Sequence, residues 1–374
     1  MDTKTQSLRL ATPAKVSNAL ELLRSVDRNR MLDYALGMPA QILAGLEDAK
    51  GFHEGDLPLD RTKLHLVGLG GSAIVGELLR DMLSPRRGIT LHRGTPVPRD
   101  RSGTIVSSYS GNTIEIIDLA RQVTGGLKTV VMFCSGGALE KLGRHWGMPV
   151  WKLPEGMQPR AAIGHSMAYV GSLLERWRIF EGVTSSLQRA ASKLVADLTK
   201  GDPASHPLLR AALPIAESVR SRNTLILHSL KCTGPARRFA AQLNENSKQA
   251  AFPLVLPEAM HNGIEGMGTT DPAQWSIVFM TDSNDPFLLR QSIGRLEEYF
   301  AGHGFPTIRF PSAGEDAYET TLARVLIGDM TSLFVAALGG VDPTPIPTIT
   351  YLKKGQPAIA DTLDYDLSVI VEER

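Results

Sequence analysis

Short apolar runs alternate with segments of helical period along this chain, and the series occurs twice. That alternation restricts the fold more than any other feature. A strand–helix–strand series closes as a parallel sheet with helices on both faces. The first series predicts strands over residues 64–68, 89–91, 104–107, 129–133 and 149–153, with helices over 73–82, 113–123 and 138–142. The second predicts strands over 224–228, 252–256, 276–280 and 307–310, with helices over 235–248, 286–300 and 318–337. The expected fold class is therefore α/β: two doubly wound parallel-sheet domains, each an αβα sandwich, with N-terminal helices and a C-terminal helix. At 374 residues the chain is long enough for two such cores.

The expected boundaries follow from the same pattern. Residues 1–50 are N-terminal helices, with Leu20, Leu23, Leu32, Leu36 and Ile42 at helical spacings. Residues 51–157 form the first domain, beginning with a polar linker over 51–62. Residues 158–222 lack strand signals and read as a helical connection, with helices over 167–179 and 187–198. Residues 223–340 form the second domain, and 341–374 a C-terminal helix and tail.

Charge excludes some functions. Forty Lys plus Arg against 39 Asp plus Glu leave a formal +1, too balanced for a chain held on nucleic acid by a basic field. Two cysteines, Cys134 and Cys232, make no disulfide framework and no CxxC. Nine histidines include no HxH, no HExxH and no His–Cys cluster, so neither metal nor cofactor is expected. The first fifteen residues are polar, without the apolar core of a signal peptide. The most apolar stretch, near 330–341, is too short to span a bilayer. The expectation is a soluble, cytoplasmic protein without nucleic-acid or membrane partners.

Two loops carry the first chemical signal. The strand over 64–67 runs into Gly68-Leu69-Gly70-Gly71-Ser72-Ala73 and then a helix. Glycines after a strand turn backbone N–H groups inward, and the helix N-terminus adds its dipole, so an anion is expected. A plain tight turn uses the same residues. Gly68-x-Gly70-x-x-Ala73 also fits a dinucleotide fingerprint, but the next strand ends at Leu91-His92-Arg93-Gly94, without the carboxylate that would hold a ribose. The second loop, Ser107-Ser108-Tyr109-Ser110-Gly111-Asn112-Thr113, places hydroxyls at Ser108, Ser110 and Thr113 before another helix. Hydroxyls and helix amides together suit a phosphate monoester, whose several oxygens want several donors. An ordinary helix cap by Ser110 or Thr113 is the plain alternative.

Gly70-Gly71-Ser72 followed by Ser108-Tyr109-Ser110-Gly111-Asn112-Thr113 resembles the sugar-phosphate loops of a sugar isomerase (SIS) domain. Four further segments resemble the bifunctional phosphoglucose/phosphomannose isomerase family. They are Gln158-Pro159-Arg160-Ala161-Ala162-Ile163-Gly164, Gln242-Leu243-Asn244-Glu245-Asn246-Ser247-Lys248, Leu256-Pro257-Glu258-Ala259-Met260-His261-Asn262, and Asp342-Pro343-Thr344-Pro345 with Tyr351-Leu352-Lys353-Lys354. The blocks occur in order from about residue 30 to 356.

The resemblance implies aldose–ketose isomerisation of glucose 6-phosphate, mannose 6-phosphate or both with fructose 6-phosphate. A proton moves between C2 and C1 through a cis-enediolate. The reaction needs a base, a cation for the enediolate oxygens and groups that open the sugar ring. Glu245 is implied as the base, with polar neighbours that could orient it, against the plain alternative of a solvated helix glutamate. Arg160 is implied to face the sugar; its guanidinium stays charged. Its plain alternative is a surface or interface arginine. His261 is implied as the ring-opening group, supplied by the neighbouring subunit of a homodimer; imidazole is a common general acid and base. Lys353, or else Lys354, is implied to assist; an exposed lysine is the alternative. Gly70, Gly71, Ser72, Ser108, Ser110 and Thr113 are implied to hold the phosphate. Two such domains suggest a site in the cleft between them.

The sequence departs from the family in three places. His261-Asn262-Gly263-Ile264-Glu265-Gly266-Met267 lacks the usual Glu and Trp of HNEI-x-GW, which bears on the pocket wall or the dimer contact. Asn112-Thr113-Ile114-Glu115 stands where the family has NTEE. An acidic segment over 361–373 runs past the family's usual end. The competing reading is a non-catalytic sugar-phosphate sensor on the same fold. Such sensors usually carry an N-terminal DNA-binding domain with a basic face, which residues 1–50 lack. An NADP-dependent oxidoreductase is the third reading, and the serine-rich second loop argues against it.

Overall fold

The computed structural model describes residues 9–83, 88–98, 100–124 and 129–361. Of the acidic tail, all but Asp361 lies outside them. Helices α1 (Pro13–Val26), α2 (Met31–Leu36) and α3 (Met38–Lys50) come first. Next are β1 (Asp60–Gly68), α4 (Gly71–Met82), β2 (Ile89–His92), β3 (Ser102–Ser107), α5 (Ile114–Thr124), β4 (Val130–Cys134), α6 (Gly137–His145) and β5 (Val150–Lys152). Helices α7 (Ile163–Arg176), α8 (Val183–Leu198) and α9 (Pro207–Val219) follow. The chain continues through β6 (Asn223–His228), α10 (Thr233–Asn246), β7 (Ala251–Val255), β8 (Trp275–Met280), α11 (Phe287–Gly302), β9 (Thr307–Arg309), α12 (Ala317–Leu338) and α13 (Pro347–Asp361).

The chain divides into two compact units. Among the described residues, one comprises those over 38–192 with 346–361 and holds the first sheet; the other comprises 9–37 with 193–345 and holds the second. The helices over residues 13–50 are therefore shared out: α1 and α2 belong with the second sheet and α3 with the first.

The first sheet has the order β2-β1-β3-β4-β5, all parallel. Strands β3 and β4 are buried along their whole length, as strands covered on both faces are; β4 is apolar throughout, whereas β3 buries Ser102, Thr104 and Ser107 beside Ile105 and Val106. Val67, Val106, Met132 and Cys134 pack against Ile116, Leu119, Ala120 and Val123 of α5. Strand β1 begins earlier than the hydropathy indicates. Its first residues, Asp60-Arg61-Thr62-Lys63, are polar, with Arg61 and Thr62 exposed and Asp60 and Lys63 half-buried, and the pairing with β3 is irregular between Asp60 and Leu64.

The second sheet has the order β7-β6-β8-β9, again parallel. Strand β7 carries Pro253 and sits at the edge, where a missing N–H is tolerated. Helix α9 carries Pro214 in its interior, which obscures its helical pattern in the sequence. The segment expected as a connection is part of both cores: α7 buries most of its residues, and α9 buries Leu209, Leu213, Ile215 and Val219.

Helix α12 is long and apolar enough to cross a membrane by length and composition, since its apolar stretch begins well before residue 330. It is the central helix of the second-sheet unit: 94% of that stretch is buried there. Asp316 caps it, accepting from the N–H groups of Tyr318 and Glu319, each at 2.9 Å.

Candidate active site

After β1 the chain of the first sheet turns outward to β2, then returns across β1 to β3 and continues to β4 and β5. The order reverses between β1 and β3. In open parallel sheets a ligand binds there, outside the carboxyl ends of the strands. The two loops singled out in the sequence leave the sheet at these two neighbouring strands.

The loop after β1 ends in Gly70, which has φ +52° and caps α4. That backbone is costly for any residue with a Cβ. Gly70 is exposed, and Gly71 and Ser72 are half-buried at the first turn of a twelve-residue helix. The positive end of the α4 dipole therefore opens beside the switch point.

The loop after β3 is built from its own hydroxyls. Ser108 is buried; its N–H donates to Phe133 O at 3.0 Å and its Oγ to Thr113 Oγ1 at 3.0 Å. As the acceptor in that bond, Thr113 keeps its own hydroxyl proton to give. The backbone carbonyl of Thr113 accepts from Ile116 and Ile117 at the start of α5. Ser110 is half-buried, and its Oγ accepts from Asn112 N at 3.3 Å.

A third loop, Ser135-Gly136-Gly137 after β4, braces the second. Ser135 Oγ and Ser135 N both donate to Tyr109 O at 2.7 Å. Asn112 Oδ1 accepts from Ala138 N at 2.9 Å, and Leu139 N donates to Gly111 O at 2.9 Å. The approach is so close that a Cβ on Gly111, where φ is +66°, would lie 1.8 Å from Gly136 O. These bracing residues were legible only as glycine and serine after a strand.

Arg160 lies in the same unit. It sits on a 3-10 turn, Pro159–Ala161, and is 4% exposed. The turn lies against the N-terminus of α4: a Cβ on Gly71 would be 3.5 Å from Pro159 O and 3.8 Å from Arg160 Cα. The approach to it, residues 154–157, is held by Tyr109, whose hydroxyl donates to Pro154 O at 2.7 Å and accepts from Met157 N at 2.9 Å. Cys134, at the end of β4, is pushed up to about 11 by burial and stays a thiol near neutrality. The arrangement offers hydroxyls, helix amides and one buried guanidinium, a donor set for an anion with several oxygens.

The other predicted residues lie elsewhere. Glu245 is half-buried on the last turn of α10, in the second-sheet unit. Its polar neighbours anchor the helix. Asn244 exchanges bonds with the backbone of Ala251, Asn246 donates to Ser332 Oγ at 2.9 Å, and Gln242 donates to Asp329 Oδ1 at 3.0 Å. Lys248 closes the end of α10, its ammonium donating to the carbonyls of Glu245, Asn246, Asp342 and Pro343. It thereby ties the Glu245 motif to the Asp342-Pro343 motif.

His261 is exposed on a 3-10 turn, Glu258–His261, after β7. Of the residues that depart from the family pattern, Gly263 is exposed, whereas Met267 is 6% exposed in the core of the second-sheet unit, among Leu256, Ala259 and Phe300. That substitution is thus taken up by core packing. Lys353 and Lys354 are both exposed on α13. The structure therefore groups Gly70, Gly71, Ser72, Ser108, Ser110, Thr113 and Arg160 in one unit, and Glu245 and His261 in the other. Among the described residues no group of three or more His, Cys, Asp or Glu side chains could hold a metal ion.

Residues 210–355 match the bacterial phospho-glucose isomerase C-terminal SIS domain. The chain is 27% identical over 349 residues to the bifunctional phosphoglucose/phosphomannose isomerase of Caldicellulosiruptor bescii, covering 88% of this chain and 100% of that protein. It is 27% identical over 301 residues to the protein of the same name from Aquifex aeolicus, covering 77% and 88%. It is 33% identical over 215 residues to the D-glucosamine-6-phosphate 4-epimerase of Sulfolobus acidocaldarius, covering 56% and 66%. Two solved structures share the fold. A hypothetical protein of Thermus thermophilus matches with TM-score 0.68 at 14% identity, over 96% of this chain and 100% of that one. The C-terminal domain of glucosamine-fructose-6-phosphate aminotransferase from Francisella tularensis matches with TM-score 0.61 at 14% identity, over 85% and 98%.

Proposed function

This chain belongs to the bifunctional phosphoglucose/phosphomannose isomerase family, and on that footing we propose that it interconverts glucose 6-phosphate and mannose 6-phosphate with fructose 6-phosphate. The observation that carries the proposal is the convergence of two donor loops and a buried arginine at the β1/β3 switch point, in a chain that spans such an isomerase end to end.

The phosphate is assigned to Ser108, Ser110 and Thr113 together with the α4 N-terminus at Gly70, Gly71 and Ser72. Anchoring it fixes the sugar without touching the reacting carbons, so the binding energy goes into orientation. Ring opening is assigned to His261, with Lys353 assisting. A base takes the proton of the C1 hydroxyl as the ring oxygen is protonated, and the open-chain carbonyl results. Glu245 then removes the proton at C2 of the aldose. Electrons move into the C1–C2 bond, and the oxygens become the cis-enediolate. Arg160 stabilises the developing negative charge, and its fixed cation serves both directions of the reaction. The proton of the C2 hydroxyl passes to O1, and Glu245, now protonated, delivers its proton to C1 as the C2 carbonyl re-forms, which gives the ketose. Both C2 epimers require that either C2 hydroxyl orientation be accepted.

We assign no metal or redox cofactor to these steps, since each is a proton transfer that side chains can perform. We further propose a cytoplasmic homodimer in which His261 serves the partner's site, without nucleic-acid or membrane partners. The exposure of His261 and the near-neutral charge support this reading.

The test is direct. Purified protein with EDTA receives fructose 6-phosphate, and the products are resolved by NMR beside a Glu245→Gln variant. Glucose 6-phosphate and mannose 6-phosphate should both appear, and both should vanish in the variant. A parallel sample with glucosamine 6-phosphate should show no C4 epimer. Epimerisation there without isomerisation of fructose 6-phosphate would overturn the assignment.

A further inference from the structure

Tyr109 stands between the two serines of the loop after β3, yet its hydroxyl serves a different segment. It bridges Pro154 O, to which it donates at 2.7 Å, and Met157 N, from which it accepts at 2.9 Å. Met157 precedes Arg160 by three residues. The stretch between is weakly supported otherwise: Glu155, Gly156 and Pro159 are exposed, and Met157 and Gln158 only half-buried. Arg160 itself is buried, with its backbone against the α4 N-terminus at Gly71. Tyr109 and Ser110 are the central residues of a turn closed by Gly111 N, which donates to Ser108 O at 2.9 Å. Within it Ser108 Oγ goes to Thr113 and Ser110 Oγ accepts from Asn112 N, while the Tyr109 phenol goes to the strap, so one turn carries hydroxyls for a ligand and a brace for its neighbour. The other side of the same loop is rigid, because Ser135 holds the carbonyl of Tyr109 by two bonds.

We propose that Tyr109 is a positioning residue that couples the phosphate-binding loop to Arg160. Phosphate docked on Ser110 and Thr113 settles the loop. The Tyr109 hydroxyl then holds the 154–157 strap in the one arrangement that places the guanidinium for the enediolate. The kinetic part rests on the isomerase reading given above; the structural coupling does not.

Tyr109→Phe keeps the ring and removes both hydrogen bonds. With fructose 6-phosphate, kcat should fall about 10- to 100-fold, the usual cost of a misplaced catalytic group. KM should stay within about threefold, because an interaction realised only in the transition state is lost. The variant should add nothing further to Arg160→Gln, since the two act through one group. Ser110→Ala should instead raise KM. A raised KM with kcat retained in Tyr109→Phe, or losses that multiply with Arg160→Gln, would overturn the coupling.

Hydrogen exchange separates this from the function. Inorganic phosphate should slow exchange of the amides over residues 155–161 in the wild-type protein, and should fail to do so in Tyr109→Phe. No phosphate-dependent protection in the wild type, or equal protection in the variant, refutes the proposal even if the protein isomerises sugars. Protection without any isomerisation would retain the coupling and remove the isomerase assignment.

Discussion

Single residues in this molecule divide into those that meet the ligand and those that hold them in place. Glu245 belongs to the first kind by assignment. Glu245→Gln preserves shape and removes the base, so kcat should drop by roughly 10²–10⁴ with KM little changed, measured from initial rates with fructose 6-phosphate. Gly111 belongs to the second kind. Its Cβ would collide with Gly136 O in a left-handed backbone. Gly111→Ala should therefore cost about 1–3 kcal/mol in urea unfolding and disorder the loop after β3. The sequence marks Gly111 and Glu245 equally clearly as motif members. It does not say that Gly111 lies against a neighbouring carbonyl, which only the packing shows.

At the level of elements, α10 and α12 make the contact that fixes Glu245. Arg238, Gln242 and Asn246 recur every four residues along one stripe of α10. They meet Asp329 and Ser332 on α12, with Arg238 Nη2 2.6 Å from Asp329 Oδ2. Both members of that ion pair are buried. Removing one partner of a buried pair strands a charge away from water, so Asp329→Ala should cost roughly 3–5 kcal/mol. Equilibrium unfolding measures it; a loss below about 1 kcal/mol would mean that solvent reaches the pair. Residues 242–248 announce themselves in the sequence as a polar motif on a helix. That Gln242 and Asn246 anchor the helix becomes visible only when α12 is placed beside it.

Across the whole molecule, buried and half-buried histidines link stability to pH. His92, His165 and His206 are all held below the ordinary histidine range, chiefly because burial disfavours the charged ring. His92 is further lowered by the neighbouring His65, 2.9 Å away. His206 Nδ1 accepts from Leu208 N at the start of α9, a bond that protonation of that nitrogen would remove. In the unfolded chain these rings bind protons near pH 6.5; in the folded protein they resist until lower pH. The unfolded state thus holds more protons in that window, and stability falls as pH drops. It is fully present above about pH 6.5 and declines as pH falls toward the folded values. Asp100 adds a second, more acidic loss. Burial raises its pKa, but Lys63 and the N–H of Ser102 outweigh that and hold it well below the usual range. Its contribution is present above about pH 4 and lost as pH falls through its folded value. Thermal melting should show Tm falling between pH 7.5 and 5.5, and His92→Gln should flatten part of that slope.

The sequence by itself determined the fold class and the two series of strands. It also determined the glycines and hydroxyls that line the loops and the motif residues that carry the proposed chemistry. These are properties of neighbours along the chain, and local periodicity and turn chemistry record them. The polar start of β1 and the proline-bearing α9 escaped, because neither shows the apolar pattern of its element. Only the tertiary structure decided the strand order. That order sets β1 beside β3 and so brings Ser72 and Ser110 to one switch point. It decided that Tyr109 reaches the strap before Arg160, and that Met267 fills a core. Those outcomes depend on pairing and packing between residues far apart in the chain, and no local pattern encodes which distant partner closes the contact.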